Sequence, residues 1–460
     1  MKPRRTRRLL IALTTLALLA SGCGRGDDPV AEEPTVASAT SGDFGDLTGV
    51  CGPGSAKGST AQGVSDSEIE IGVFTDMGFT KNPEFSETAK VFTQWCNAAG
   101  GINGRKLVAN MRDAKLMEYR QRMIESCRED FFLVGGGAAL DGLGVKDRLS
   151  CLLPEFPGQV VQAANAGSDL QLAAGSSAAG PVNQYTGSEH WLIKEAYPAS
   201  AGAVGFIVGD SPAVKPTAEK MAASLTAAGA TIVYNDLYPA AGVSDWTPYA
   251  QAIKAKGVRG LIFLGDFRQL AKLEDVLTGM DYKPDWIDAN SNAYNPSFIE
   301  AAKNSLSAQN NIADLSEIAP LDSADKVPAV KQLRELFAKY APDAAITYPA
   351  LRGFQSWLLF AKSATGCGDQ LTRACVYNAA RKETAWTGGG LTAPVNLSTP
   401  ASEQVRCFNV QRATPEGWKS IDFKPDTGVF RCNIPTFRFQ GEYTKAVTLA
   451  DVGKSLSDLK

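Results

Sequence analysis

Histidine is almost missing from this sequence, since His190 is the only one in 460 residues. A single histidine, without any Cys-x-x-Cys pair, is too few for the usual zinc sites built from cysteine and histidine. Gly-x-Ser-x-Gly, His-Glu-x-x-His and P-loop motifs are missing as well. The sequence therefore argues against an enzyme and predicts neither a metal nor another cofactor. We expect His190 to be a surface or helix-capping residue.

A strong charge of either sign is also missing. The 46 lysines and arginines nearly balance the 49 aspartates and glutamates, which leaves a net charge of −3 at pH 7. Such a chain has no basic field that would attract nucleic acid, so no nucleic-acid partner is expected. Apolar residues make up 44% of the chain and charged residues 21%, as is usual for globular proteins.

Long hydrophobic runs are limited to Leu9–Ala20, which is shorter than the roughly 20 residues that a membrane-spanning helix needs. This run follows a basic stretch over residues 1–8, as in a signal peptide. It ends in Leu19-Ala20-Ser21-Gly22-Cys23, which resembles a bacterial lipobox.

The N-terminal region is therefore predicted to direct export. We predict a signal peptide over 1–22, a lipidated Cys23 that anchors the chain to the membrane, and over 23–63 a tether rich in glycine and serine that is flexible except near Cys51. Cleavage near Ala20 without a lipid stays open as an alternative. Export by the twin-arginine or by the general secretory route also stays open.

Strands and helices alternate in two successive parts of the chain. The first part predicts strands at 68–74, 105–112 and 131–134, a fourth beginning at 152, and helices at 86–99, 117–128 and 140–150. The second part predicts strands at 203–208, 231–234, 259–264 and 286–288, and helices at 189–197, 213–228, 249–256 and 268–280. Such alternation predicts βαβ units and a parallel sheet in each part.

The last third of the chain is mostly helical. Helices are predicted at 327–340, 351–364 and 371–381, and we expect them to return to the first lobe. Strands predicted at 405–411 and 429–432 are expected to join the second lobe. The predicted fold class is α/β, with two doubly wound parallel-sheet lobes.

Three segments resemble those of the type I periplasmic binding proteins, the leucine/isoleucine/valine-binding family of ABC-transporter substrate-binding proteins. They are Asn97–Lys106 (NAAGGINGRK), Gly63–Gly72 (GVSDSEIEIG) and Tyr348–Phe354 (YPALRGF). In the first segment two glycines end a helix and Asn103-Gly104 makes a tight turn before a strand. This motif therefore indicates the fold and not the ligand.

The resemblance implies a clamshell whose two lobes are joined by three crossings of the chain. The crossings are expected near Val182–Gly187, Asp314–Pro320 and Gly388–Pro394. The expected N-terminal lobe is 64–184 plus 317–392, the expected C-terminal lobe is 185–316 plus 393–440, and a tail covers 441–460. Doubly wound sheets bind ligands beyond the carboxyl ends of their strands, so a ligand is expected between the lobes.

The resemblance also implies a function. We expect a lipoprotein on the extracytoplasmic face of the cell membrane that captures a small polar metabolite, such as an amino acid or amide. An ABC transporter permease is the expected partner, the membrane is contacted through the N-terminal lipid, and the chain is expected to be a monomer. A receptor that senses its ligand and acts on a membrane signalling partner stays open as the alternative.

Ligand-binding residues of the family lie in loops that follow strands and at the first crossing. The resemblance carries them onto Thr75, Asp76, Met77, Phe79, Gly136, Gly137, Ala138, Ala139, Tyr185, Asp210, Asp266 and Asn292. The glycine amides could hold an anion, or the glycines could simply make a tight turn. Relatives that bind amino acids have a hydroxyl where this chain has Ala138 and Ala139. Asp266 is expected to pair with a cationic ligand group, to cap the helix that begins at Phe267, or both.

Eight cysteines remain when Cys23 is set aside, and an even number in an exported protein indicates disulfides. Chain order and the predicted topology favour the pairs Cys51–Cys96, Cys127–Cys151, Cys367–Cys375 and Cys407–Cys432. Other connectivities stay open, because sequence alone does not choose among them.

Overall fold

The computed structural model describes residues 41–400, 407–441 and 445–460. The predicted signal peptide, Cys23 and the first part of the predicted tether lie outside these residues. Within the described ranges, no helix combines the length and the apolar character needed to cross a bilayer.

The first part of the chain builds a four-stranded parallel sheet. Its strands are β1 (Glu68–Thr75), β2 (Lys106–Asp113), β3 (Phe132–Val134) and β4 (Glu155–Phe156), in the order β2-β1-β3-β4. The helices between them are α1 (Met77–Thr80), α2 (Glu84–Ala98), α3 (Tyr119–Glu129) and α4 (Val145–Ser150). The inner strand β1 is buried along most of its length, because helices cover both faces of a parallel sheet.

The second part of the chain builds a second parallel sheet. Its strands are β5 (Val204–Asp210), β6 (Ile232–Pro239), β7 (Gly260–Leu264), β8 (Trp286–Asp288) and β9 (Asn311–Asp314). Its helices are α5 (Thr186–Trp191), α6 (Lys215–Ala227), α7 (Thr247–Ala255), α8 (Phe267–Gly279) and α9 (Pro296–Ala301). The sequence did not predict β9, which is short and has a polar residue at each end.

The third part of the chain contributes to both sheets. The helices α10 (Pro328–Tyr340), α11 (Tyr348–Thr365) and α12 (Arg373–Ala380) lie on the first lobe. The antiparallel hairpin of β10 (Val410–Thr414) and β11 (Gly417–Ser420) joins β9, so the second sheet has the order β11-β10-β9-β8-β7-β5-β6.

The predicted strand at 429–432 is wrong. Two isolated bridges lie there, from Arg431 to Phe408 and from Phe430 to Thr427, and they do not extend into a strand. The next backbone N–H groups, of Cys432 and Asn433, donate to the Asp426 carboxylate at 2.8 and 3.0 Å. A side chain therefore satisfies donors that a strand would have used in its ladder, and the periodic pattern of the sequence did not reveal this.

The chain passes between the two sheets three times: after β4, after β9 and after α12. Val182, in the first connection, forms a bridge with Arg438 near the end of the chain. Ile318, in the second connection, forms a bridge with Thr392 in the third. Extended segments that pair with each other thus join the lobes, and the two-lobed α/β fold class is confirmed.

Helix α11 is the centre of the first lobe. Nearly all of its residues are buried, which is the pattern of a helix packed on every side. Its Phe354 and Trp357 rings lie 5.3 and 5.4 Å from the Phe92 ring of α2. This packing fixes the N-terminal turn of α11 at the edge of the sheet that faces the second lobe.

The prediction of a flexible tether excepted the region near Cys51, but in the described part, residues 41–63, the packed region extends well beyond that cysteine. Phe44 is fully buried, with its ring 5.1 Å from that of Phe354. The backbone N–H of Gly52 donates to Gly101 at 2.7 Å. Composition predicted a flexible segment, because one aromatic ring and one disulfide are enough to hold it and the rest of its sequence is mostly glycine and polar residues. We call residues 41–58 the strap.

Four disulfides join the pairs that the sequence favoured: Cys51–Cys96, Cys127–Cys151, Cys367–Cys375 and Cys407–Cys432. The first fastens the strap to α2. The C-terminal tail also lies on the first lobe, because Leu449 and Leu459 are buried in its core and the Leu449 backbone N–H donates to Asp169 at 2.6 Å.

Candidate ligand-binding cleft

A cavity of about 380 Å³ lies between the lobes, where the carboxyl ends of both sheets face each other. The residues that the first lobe contributes are Thr80, Ala139, residues 159–161, Tyr348, Pro349 and Arg352. The second lobe contributes Ala213, Val214, Thr217 and residues 264–266 and 290–292. The first connection contributes residues 177–179, 184 and 185. Because both sheets supply loops, any molecule held here contacts both lobes. We call this cavity the cleft.

Two other hollows, of about 510 and 600 Å³, are lined chiefly by the second lobe. One lies at the amino ends of β8 and β9, beside Asp285 and Asn310, which is the edge opposite the cleft. The other lies beside Trp418 on the outer strand β11. Of these three hollows, the cleft is the one that collects strand-end loops of both sheets, so it is the candidate site.

Four of the sequence-predicted ligand residues line the cleft: Ala139, Tyr185, Asp266 and Asn292. Asn292 is held in place by its neighbour Asn290, whose side-chain oxygen accepts the Asn292 backbone N–H at 2.9 Å. These four residues stay predicted ligand contacts. The other eight predicted residues do not line the cavity, and each of them has another role or position.

Asp76 holds two loops of the first lobe together, and neither Asp76 nor the buried Thr75 lines the cleft. Asp76 is 7% exposed, and its carboxylate accepts the backbone N–H of Ala139 at 2.6 Å and of Leu116 at 2.8 Å. Thr75 is 3% exposed. The sequence placed both after a strand correctly, but the side chain of Asp76 is used to tie two neighbouring loops together.

Met77 and Phe79 lie on α1 with 38% and 59% of their surface exposed, outside the cavity lining. Their neighbour Thr80 lines the cavity instead. A four-residue helix turns successive side chains in different directions, so position after a strand did not identify the residue that reaches the cleft.

The glycine-rich loop after β3 is a close backbone approach. A Cβ at Gly136 would lie 2.5 Å from the backbone nitrogen of Phe74, and the N–H of Gly137 donates to the Phe74 carbonyl at 3.0 Å. Ala138 is 4% exposed and packs among apolar residues near Tyr119. The glycines therefore make the tight turn that was the alternative to an anion site, and none of these three residues lines the cleft.

Asp210 also lies outside the cavity lining. Its carboxylate pairs with Lys215 at 2.5 Å on an exposed surface. The residues after β5 that line the cleft are Ala213, Val214 and Thr217, which come a few positions later.

Asp266 caps α8, as one of its two expected roles requires, and it also lines the cleft, while its pairing with a ligand group stays a prediction. Its carboxylate accepts the backbone N–H of Arg268 at 3.0 Å and lies 3.5 Å from the Arg268 guanidinium. Its own backbone N–H donates to the Tyr238 hydroxyl at 3.1 Å. About half of its side chain is exposed.

Arg352 is a cleft residue that the sequence did not single out. It is 8% exposed and donates to the carbonyls of Gly158 and Ser176 at 2.9 and 2.8 Å and to the Tyr348 hydroxyl at 3.1 Å. Burial acts to lower the pKa of this guanidinium, but Tyr348 and Glu317 act more strongly together, so the pKa is raised. Arg352 therefore stays cationic and braces two cleft-lining segments.

A signal for Arg352 was present in the sequence. Tyr348 and Arg352 are four residues apart, which places them on one face of a helix. An arginine inside an otherwise apolar helix is an unusual residue to bury. Gln159 and Ser177, which also line the cleft, follow no predicted strand, and we found no signal for them.

Two carboxyl groups lie beneath the second-lobe wall, the half-buried Asp288 and the buried Asp314. Burial raises the pKa of Asp288, at the end of β8, to about 6, although the Asn290 backbone N–H donates to it. Burial raises the pKa of Asp314, at the end of β9, to about 7, despite hydrogen bonds from Ser188 and Ser316. These raised pKa values reduce the negative charge below the cleft at neutral pH.

The first connection is fastened to α6 of the second lobe. Lys220 is fully buried and donates to the carbonyls of Ala178 and Gly180 at 2.6 and 2.5 Å, and burial lowers its pKa to about 8. Glu189 accepts the Ser224 hydroxyl at 2.6 Å, and burial raises its pKa to about 8. These bonds fix the connection where Ala178 lines the cleft.

Two α/β lobes, three connections and a cleft at the facing strand ends define the architecture of two-lobed solute-binding proteins. The sequence profile of one such family, described as periplasmic binding protein, matches residues 156–418. That match covers more than half of the chain, so the chain belongs to this family, and the resemblance stated from the sequence is confirmed. Curated protein sequences gave no match to the chain.

Solved structures share the fold at low sequence identity. A fatty acid ABC transporter substrate-binding protein from Thermomonospora curvata is 19% identical over 83% of this chain and 95% of that chain, with a TM-score of 0.66. The branched-chain amino acid transporter substrate-binding protein LivJ from Streptococcus pneumoniae, in complex with isoleucine, is 16% identical over 80% and 100%, with a TM-score of 0.64. A possible leucine/isoleucine/valine-binding protein from Rhodopirellula baltica SH 1 is 15% identical over 78% and 97%, with a TM-score of 0.64. Similarity at these identities establishes the fold and leaves the ligand open.

Proposed function

We propose that this chain is a solute-binding lipoprotein on the extracytoplasmic face of the membrane, which captures a small organic metabolite and delivers it to an ABC permease without changing it chemically. The observation that carries this proposal is the cleft, whose walls come from both lobes. The family match supports the same proposal, and so do solved relatives described as binding a fatty acid or isoleucine.

The proposed mechanism is closure of the lobes around the solute. A solute that touches both walls favours the closed arrangement, because it gains contacts there that the open arrangement lacks. The paired extended segments that include Ile318 and Thr392 supply a joint about which the lobes can turn. A permease then needs to recognise only the closed arrangement.

The experiment is a thermal-shift screen of the chain, produced with its own N-terminus, against small metabolites. A solute at about 100 times its Kd should stabilise the folded protein by about 2.7 kcal/mol, since it binds the folded state alone. Small-angle scattering with the hit should show a smaller radius of gyration. If no solute in a broad panel raises the Tm, or if a hit is converted to product, the proposal is wrong.

A pair of alanine-to-tryptophan variants locates binding. Ala213→Trp would fill the cleft and should abolish the shift caused by the hit, because Ala213 lines the cavity. Ala227→Trp is the matched control, since Ala227 is exposed at the far end of α6. Equal binding by both variants would remove the cleft as the site.

Anchoring by a lipid is tested at Cys23. Cys23→Ala should move the chain from the detergent phase to the aqueous phase in detergent partitioning and should stop incorporation of labelled fatty acid. Retention of the label in this variant would contradict lipidation at Cys23.

A further inference from the structure

The glycine-rich loop after β3 presents no anion site to the cleft, because Gly136, Gly137 and Ala138 are buried and do not line the cavity. The Asp76 carboxylate already accepts the backbone N–H groups of Ala139 and Leu116. The N–H of Gly137 is bonded to the Phe74 carbonyl. A ligand carboxylate at this loop would compete for the same donors and would lie close to a like charge. The carboxylate of a solute must therefore be held elsewhere in the cleft.

Asp266, the expected partner of a ligand ammonium, is also engaged. It caps α8 through the Arg268 backbone N–H, and its carboxylate lies 3.5 Å from the Arg268 guanidinium. Its side chain is 47% exposed, so water and salt screen its charge. The protein itself thus occupies both features that would bind an α-amino acid.

Arg352 supplies the positive charge of the cleft. Among the described residues that line the cavity, it is the one with a cationic side chain. Its Nη1 donates to the Tyr348 hydroxyl and its Nη2 to the Ser176 carbonyl. Each of these nitrogens carries a second N–H that those bonds do not use. A planar pair of N–H donors matches the geometry of a carboxylate.

Tyr348 adds a neutral donor beside this pair. Its hydroxyl oxygen accepts from Arg352, which leaves the hydroxyl hydrogen available to donate. Tyr348 also lines the cleft and is 5% exposed. A guanidinium and a phenol held side by side on one helix form a preformed donor site for an anion, because packing fixes both groups before a ligand arrives.

The rest of the cleft has apolar side chains among polar ones, which include Thr217 and residues 290–292 of the second lobe. Val160 and Ala179 lie on one side, and Val214 and Leu264 lie on the other. Burying hydrocarbon against these side chains is favourable, at about 25 cal/mol per Å². An ammonium group in this region would lose its water without gaining an unengaged carboxylate.

We propose that the solute is a monocarboxylic acid with an apolar body and no ammonium group, whose carboxylate is held by Arg352 and Tyr348. This inference rests on the proposed function, because it names the class of solute taken by the same cleft. It places the charged end of the solute on the first lobe and leaves the hydrocarbon end to apolar side chains on both sides of the cleft.

The experiment compares matched probes by calorimetry on the chain with its own N-terminus. One set is 4-methylpentanoate, its amide and leucine; the other is 3-phenylpropanoate, its amide and phenylalanine. Within each set the amide removes the negative charge and the amino acid adds an ammonium. In at least one set, the acid should bind at least tenfold more tightly than both relatives, which is about 1.4 kcal/mol.

Variants assign the preference to Arg352. Arg352→Gln should remove most of the preference of acid over amide, by about tenfold, whereas a purely structural loss would weaken both probes alike. Arg373→Gln is the matched control, since Arg373 also donates to backbone carbonyls, those of Phe131 and Asp130, away from the cleft. It should lower the Tm and keep the preference. If Arg352→Gln does not fold, Arg352→Lys should fold and still lose most of the preference, because Lys cannot offer paired planar donors.

Several outcomes would overturn the inference. They are amides or amino acids that bind as tightly as the acids, an Arg352→Gln variant that keeps the preference, or the failure of every acid to bind. If a neutral or cationic solute then binds in the broad screen, the proposed function stands and only the class of solute is wrong. If nothing in that screen binds, the proposed function falls as well.

Discussion

The two lobes reach stability by different means. Among the described residues, the first lobe has a four-stranded sheet, and it carries the strap, the C-terminal tail and the disulfides Cys51–Cys96, Cys127–Cys151 and Cys367–Cys375. The second lobe has a seven-stranded sheet, and the remaining disulfide, Cys407–Cys432, lies beside the third connection. The first lobe has the smaller sheet but a large apolar core, because helices, the strap and the tail all bury side chains in it, and cross-links hold those added segments in place.

The walls of the cleft differ in the same way. The first-lobe wall carries Arg352, which is braced by three hydrogen bonds within its lobe. The second-lobe wall carries Asp266, which is half exposed and close to its own arginine. A rigid, buried charge on one side and a screened charge on the other suit a ligand that docks on the first lobe and is then covered by the second.

The largest expected effect is a cavity in the first-lobe core. Phe354→Ala should lower the free energy of unfolding by about 3–5 kcal/mol, because Phe354 is fully buried among aromatic rings. Denaturant titration followed by hydrogen exchange should show the loss mainly in the first lobe. Phe263→Ala, at a fully buried site in the second lobe, is the control and should show the reverse. Equal loss of protection in both lobes would mean that they unfold as one unit.

The next effect comes from the disulfides. Replacing Cys51 and Cys96 together by alanine should cost about 2–4 kcal/mol, since this bond closes a loop with a sequence separation of 45. Hydrogen exchange in the strap should rise at the same time. The double replacement of Cys407 and Cys432, with a separation of 25, should leave strap exchange unchanged. Unchanged strap exchange after removal of Cys51–Cys96 would show that the Phe44 anchor holds the strap alone.

A smaller expected effect is the pH dependence of stability, which we compare between the two lobes. Burial raises the pKa of Glu189 and of Glu274, both in the second lobe, to about 8. A carboxyl group whose pKa rises on folding binds its proton more tightly when folded, so stability falls as the pH rises from the unfolded value toward the folded value. The second lobe should therefore lose stability between pH 5 and pH 8.

Glutamine variants test this pH dependence. The double variant that combines Glu189→Gln and Glu274→Gln should lose less free energy of unfolding between pH 5 and pH 8, because an amide does not titrate. Denaturant titration at a series of pH values measures this difference. Asp141→Asn is the first-lobe control: burial raises the pKa of Asp141 to about 7, so this variant should change only the first-lobe profile. A second-lobe profile that stays as steep in the double glutamine variant would contradict the assignment.

Local patterns in the sequence were enough to predict most strands of the first sheet and the helices between them. Gly100 and Gly101, with φ of 111° and 78°, end α2 as expected, because these backbone angles favour glycine. Chain order and predicted topology favoured the cysteine pairs that the structure contains, although sequence alone left other connectivities open. Contacts between distant segments were not predictable, since nothing in the polar sequence of the strap indicates that Phe44 reaches Phe354.

The cleft was predicted less well than the fold. Residues after strands were the right region, but side-chain direction depends on turns that no periodic pattern describes, so Thr80 lines the cleft and Phe79 does not. Arg352 was missed because its segment, Tyr348–Phe354, was taken as evidence for the fold and not for the ligand site. Asp76 and Asp210 were predicted because they follow strands, and the structure shows their carboxylates to be bonded within the protein.

The smallest expected effect tests that last correction. Asp210→Asn should change the free energy of unfolding by no more than about 0.5 kcal/mol, because an exposed ion pair contributes little. It should also leave the Kd of any cleft solute unchanged in calorimetry, since Asp210 does not line the cavity. Asp266→Asn is the informative partner: it should alter capping of α8 and change solute affinity only modestly if the charged end of the solute docks on Arg352. A tenfold loss of affinity in Asp210→Asn would mean that closure brings the α6 end of the second lobe onto the solute, and the difference between the two walls would have to be reassigned.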